Sequence, residues 1–90
     1  DKPIGRIKYA LINSANRYNL EINIGDIISI RATTGLANYI VKLSDERLIA
    51  FEVLPKGNGE LYENITIIVP SDDEYSDYLE DYKQGIEFDS

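Results

Sequence analysis

Leu48-Ile49-Ala50-Phe51-Glu52-Val53-Leu54-Pro55-Lys56-Gly57-Asn58-Gly59-Glu60-Leu61-Tyr62-Glu63-Asn64-Ile65-Thr66-Ile67-Ile68-Val69-Pro70 consists of two apolar, largely β-branched runs around a Gly-Asn-Gly centre. Gly and Asn tolerate positive φ, so Pro55 to Glu60 predicts a hairpin turn. Ile49, Phe51 and Val53 alternate on one face of the first run, with Glu52 opposite. Leu61 to Val69 forms the second strand and Pro70 stops it.

The pattern continues upstream. Asn38 to Leu43 places Tyr39, Val41 and Leu43 on one face and Lys42 on the other. Ser44-Asp45-Glu46-Arg47 is a turn of four residues. Asp26 to Ala32 reads as a strand, Leu20 to Ile24 alternates like one, and Thr33 to Gly35 is a loop. Short turns between successive strands predict an antiparallel meander of four or five strands, open or curled into a small, partly open barrel. Ile27/Ile28 and Ile67/Ile68 are apolar on both faces. That predicts cover on both sides, by the helices on one and by the curled sheet or a partner on the other.

A helix flanks the sheet at each end. From Pro3 to about Tyr18, Ile4, Ile7, Leu11, Ala15 and Tyr18 make one apolar stripe. After Pro70, Ser71 and Glu74 have capping-box spacing. Tyr75, Tyr78, Leu79 and Tyr82 then recur at i, i+3, i+4 and i+7, and Gly85 lies near the stop. Asp73, Asp77, Glu80 and Asp81 fall on the opposite side. The expected fold is therefore α+β in a single domain over residues 1–90. The expected core is Ile7, Leu11, Ile28, Ile30, Tyr39, Val41, Ile49, Phe51, Val53, Ile65, Ile67, Tyr75, Leu79 and Tyr82.

Charge is uneven. The whole chain carries −7 at pH 7. Lys2, Arg6, Lys8 and Arg17 give residues 1–17 a net +3, whereas residues 71–90 hold eight acidic residues and Lys83, a net −7. Either the basic start lies beside the acidic end and neutralises it, or the acidic end is an interaction surface. Asp72, Asp73 and Glu74 suit a helix N-terminus, but Asp77, Glu80 and Asp81 repel one another with no such gain.

Composition excludes much chemistry. The 90 residues contain no Cys and no His. Disulfides, thiol chemistry, Ser-His-Asp sites and the usual zinc sites are excluded. No phosphate-cradling glycine motif and no EF-hand loop is present. Nothing singles out a catalytic carboxylate pair among sixteen acidic residues. Neither an enzyme nor a metal or cofactor is expected. Tyr9 among the basic residues of the first helix could stack on a base, but a chain at −7 repels a polyanion. Direct nucleic-acid binding is therefore not expected. Asn64-Ile65-Thr66 matches the glycosylation pattern inside a predicted strand and is read as chance.

The apolar runs are too short to span a membrane. The chain opens at Asp1 and contains no Met, which points to a processed chain or a piece of a longer one. Absence of Cys fits a reducing cytoplasm. Asn23 to Ile30, with its Gly25-Asp26 followed by Ile28 and Ile30, resembles the Gly-Asp hairpin of AbrB-like transcription regulators. The resemblance covers under a tenth of the chain. The run ahead of it reads as helix where that family has strands and a basic region, so no residue role is carried over.

Two functional expectations remain. One is a binding protein, an inhibitor by nucleic-acid mimicry, that presents Asp73, Asp77, Glu80 and Asp81 to a protein with a basic surface. The other is a structural or adaptor module that binds through its sheet edge or through loop residues such as Thr33, Thr34 and Asn38. Edge strands also allow two chains to pair as a homodimer.

Overall fold

The computed structural model describes residues 3–33, 38–55, 57–59 and 61–87. Lys2, Thr34, Gly35, Lys56 and Glu60 lie outside these residues, as do the side chains of Ile4 and Arg6. In chain order come α1 (Pro3–Arg17), a 3-10 turn (Ile24–Asp26), β1 (Ile27–Ala32), β2 (Tyr39–Leu43), β3 (Leu48–Pro55), β4 (Leu61–Ile68), α2 (Tyr75–Gln84) and β5 (Ile86–Glu87). This is the expected α+β architecture.

The strands form one open antiparallel sheet in the order β4-β3-β2-β1-β5. The sheet does not close into a barrel. The fifth strand is β5, not Leu20–Ile24. In that segment only Ile22 is buried, and the chain turns through the 3-10 residues before β1. The β2–β3 turn has Glu46 at φ 75°, and Arg47 donates from its backbone N–H and its Nε to the Asp45 carboxylate. At the β3–β4 turn Gly59 takes φ 85°, as the Gly-Asn-Gly signal requires.

Both faces of the sheet are covered, one helix to each. Under α1 lie Ile30, Val41, Leu43, Ile49 and Phe51, packed with Leu11, Ala15 and Ile22. Under α2 lie Ile40, Leu48, Ala50 and Ile68, packed with Tyr82 and flanked by Tyr75, Tyr78 and Leu79. Expected cover by both helices on one face is therefore incorrect. Neighbours such as Ile40 and Val41 point to opposite faces because strand side chains alternate. A sheet sandwiched between helices needs apolar residues at both parities.

Ile28 is the one expected core residue found exposed, at 58%. Its cause is a β-bulge. Ile27 pairs with Leu43 and Ser29 with Lys42, so Ile28 is the extra residue on β1. The bulge lets Ile27 and Ile30 share the α1 face although three positions separate them. Tyr18 also leaves the expected stripe. It follows the end of α1, is exposed, and donates its hydroxyl to the Glu63 carbonyl at 3.3 Å.

Two stability measurements follow from this packing. Ile40→Ala is expected to cost about 2–5 kcal/mol in denaturant unfolding, whereas Ile28→Ala should stay within about 0.5 kcal/mol of wild type. Equal costs would contradict the second core. Gly85→Ala forms the other test. A Cβ there would lie 3.0 Å from the Ala32 carbonyl oxygen and 3.0 Å from Arg31 Cβ. An overpacking loss of about 1–3 kcal/mol is expected, and an unchanged midpoint would show that β1 and the end of α2 give way.

Candidate interaction face

The tyrosine side of α2 is docked on the sheet at both ends. Tyr75 donates its hydroxyl to the Glu46 carbonyl at 2.5 Å. The buried Tyr82 hydroxyl shares a hydrogen bond of 2.7 Å with Ser29 Oγ. Arg31 stacks its guanidinium 4.3 Å from the centre of the Tyr82 ring. The same Arg31 donates Nη1 to the Tyr82 carbonyl at 3.0 Å, with a longer approach to that of Lys83. Sequence reading assigned no role to Ser29 or Arg31. Both lie in an isoleucine-rich strand, and only the three-dimensional meeting of β1 with α2 reveals their use.

This docking decides where the acidic residues point. Asp77 and Glu80 are exposed on the side of α2 away from the sheet. Glu80 accepts a hydrogen bond of 3.2 Å from Gln84 Nε2 one turn later. Asp73 is exposed too, but it precedes the helix. The expected capping box is not made: Glu74 holds the N-cap position in αR conformation with no side-chain capping bond. The backbone of Ser71 to Glu74 is taken up in turns, with Asp72 N–H bonded to the Val69 carbonyl and Tyr75 N–H to that of Asp72. A helical rise of about 1.5 Å per residue therefore applies between Asp77 and Glu80 and does not extend to Asp73.

Asp81 is set apart. It is half-buried and lines a small open cleft with Ala32, Thr33, Gln84, Gly85 and Ile86, where α2 meets the β1–β5 edge. Thr33 thus belongs to this cleft, while Asn38 donates Nδ2 to the Val53 carbonyl at 2.7 Å. The structure turns Asp77 and Glu80 to the outer side of α2, leaves Asp73 exposed on the turn before the helix, and sets Asp81 at the margin.

Among the described residues, none of Asp73, Asp77 and Glu80 forms an ion pair. Lys8 and Arg17 stand on α1, which covers the other face of the sheet. Arg17 instead pairs with Glu63 on β4, whose carboxylate also accepts the buried Ser14 hydroxyl. Among the described residues no group of three or more carboxylates is arranged to hold a metal ion. No helix among them is long and apolar enough to cross a membrane. No protein-family model matches the chain, and no curated protein or solved structure matches it either.

The acidic field reaches one titratable neighbour. Burial pushes the Tyr78 phenol above its ordinary range, and the carboxylates of Glu74, Asp72 and Glu52 push it the same way. The fold thus favours the neutral phenol. Its stabilising contribution is complete below the ordinary tyrosine value of about 10 and is lost as the pH rises through the raised one. Tyr78→Phe is expected to flatten the alkaline fall in stability above about pH 9. Denaturant titrations across that range check this, and an unchanged alkaline slope would count against it.

Proposed function

We propose that the chain is a non-catalytic binding protein that offers the outer side of α2 and the preceding turn to a basic protein surface, and inhibits a nucleic-acid-handling protein by occupying its phosphate-binding track. One observation carries this reading. Four apolar or aromatic side chains, Tyr75, Tyr78, Leu79 and Tyr82, all pack on the sheet, and so hold Asp77 and Glu80 outward beside Asp73. Carboxylates on a rigid mount lose little ordering entropy when a partner arrives. A negative face with no ion pair among the described residues also speeds encounter with a basic surface, in a salt-sensitive way. A cytoplasmic setting belongs to this proposal and is supported by the absence of Cys. The competing reading, a structural or adaptor module that binds through its edge or loops, has in its favour that β4 is paired with a strand on one side only.

Capture from the source cell's lysate distinguishes the two. Wild type is compared with a variant carrying Asp73→Asn, Asp77→Asn, Glu80→Gln and Asp81→Asn, with circular dichroism showing that both are folded. The expected outcome is a basic nucleic-acid-binding protein held by wild type, eluted by moderate salt, and held at least about tenfold more weakly by the variant. Identical capture by both would refute the acidic-face reading. Asp81→Asn alone is expected to have the smallest effect of the four.

A further inference from the structure

The turn between β3 and β4 carries a reactive pair of residues. The chain has seven asparagines, and only Asn58 is followed by glycine. The side-chain carbonyl carbon of an asparagine is open to attack by the backbone nitrogen of the next residue, which closes a five-membered ring. The rate of such a closure depends on how freely the two atoms approach. A side chain on the next residue obstructs the approach, and a hydrogen bond donated by the nitrogen holds it elsewhere. The fold sorts the seven sites on these grounds. Asn13 and Asn16 lie within α1, so the nitrogens that follow them, of Ser14 and Arg17, are donated along the helix. The nitrogen after Asn19 belongs to Leu20 and donates to the Ala15 carbonyl at 2.8 Å. Asn23, Asn38 and Asn64 precede isoleucine or tyrosine. Asn58 and Gly59 are both exposed. Gly59 has no side chain, takes φ 85°, and has nothing beyond its chain neighbours within 4 Å of the place a Cβ would fill.

We propose that Asn58 is a self-modification site, deamidated through attack by the Gly59 nitrogen, and that its isoaspartyl product loosens the β3–β4 hairpin. The bond from Gly59 N to Asn58 Cγ forms, the Cγ–Nδ2 bond breaks, and ammonia leaves with the proton of the Gly59 nitrogen. Water then opens the ring. Attack of water at Cγ gives aspartate. Attack at the main-chain carbonyl gives isoaspartate, with Gly59 now joined through Cγ. Nothing is oxidised or reduced. Either product adds a negative charge, and the isoaspartyl product also adds a carbon to the main chain. Turn length sets the register of a hairpin. β3 and β4 pair from Pro55↔Leu61 to Leu48↔Ile68 without a shift, so a longer path between Pro55 and Leu61 weakens the end of that ladder. The isoaspartyl chain is also a substrate for a carboxyl methyltransferase that recognises this residue type. This proposal does not depend on the role of the acidic face.

Incubation of the full chain at mildly alkaline pH, followed by digestion and mass spectrometry, tests it. Asn58 should exchange its amide nitrogen for oxygen at least about tenfold faster than any other asparagine of the chain. An isoaspartyl methyltransferase, used as a probe, should label the incubated chain at that residue. Gly59→Ala, folded by circular dichroism, should slow the exchange at least about tenfold, whereas Gly57→Ala should leave it unchanged. In denaturant the isoaspartyl form, isolated by chromatography, should unfold at a lower midpoint than Asn58→Asp, which carries the same added charge on an ordinary main chain. An Asn58 that reacts no faster than the other asparagines overturns the proposal. So does equal slowing by Gly57→Ala and Gly59→Ala, or an isoaspartyl form as stable as Asn58→Asp.

Discussion

The position of α2 depends on Arg31. Its guanidinium lies over the Tyr82 ring and donates to the carbonyl of that residue. The last carbonyls of a helix carry partial negative charge, so a cation there contributes about 0.3–1 kcal/mol. Stacking on an aromatic ring adds about 0.5–2 kcal/mol. Tyr82 is held from the other end by Ser29, so ring, hydroxyl and backbone of one residue are all engaged by β1. Rotating α2 about its axis would break all three. That constraint turns an acidic helix into an acidic face, because it settles which side of α2 meets solvent. It also delivers the chain at Gly85 close enough to Ala32 for β5 to pair with β1.

The second constraint is size. A chain of 90 residues buries a smaller share of its surface than a larger domain. Using both faces of one sheet offsets this, since each central strand contributes two sets of buried side chains. Phe51 and Ile49 serve α1, while Ala50 and Leu48 serve α2. The two helices are secured differently. At α2 the polar contacts lie at the ends of an apolar dock. At α1 a fully buried Ser14 sits within the contact, and its hydroxyl needs a partner because an unsatisfied buried donor costs about 1–3 kcal/mol. Glu63 supplies that partner and uses the same carboxylate to hold Arg17.

Much of this was legible in the sequence. The Gly57-Asn58-Gly59 turn, the four meander strands and the tyrosine stripe all have local causes, and each stands where its pattern placed it. The second core was hidden because Ile40 and Ala50 lie between residues already assigned to the first face, beside Lys42 and Glu52, which imply solvent. The bulge at Ile28 has no local signature in an isoleucine-rich neighbourhood. Leu20 to Ile24 alternates perfectly well, but the chain turns there through the 3-10 residues Ile24–Asp26 and β5 takes the β1 edge. Ser71 and Glu74 have the right spacing for a capping box, and the turn set up by the Val69 carbonyl uses their backbone first. For the candidate face, the outward direction of Asp77 and Glu80 followed from the tyrosine stripe. The displacement of Asp73 and Asp81 did not, since both depend on where α2 begins and on how its end meets β1.

The charge split acquires meaning from the layer order. Had the two helices shared a face, Lys8 and Arg17 could have neutralised the carboxylates of α2 at contact distance. A sheet separates them instead, and packed layers stand about 10 Å apart, so the two helices are separated by more than the screening length. Each therefore presents its own field. On the α1 side that field is partly consumed locally by Glu63. On the α2 side nothing among the described residues pairs with Asp73, Asp77 or Glu80. The price of leaving them unpaired is mutual repulsion of a few tenths of a kcal/mol per close pair, a cost that folding alone gives no reason to keep and that a basic partner would remove.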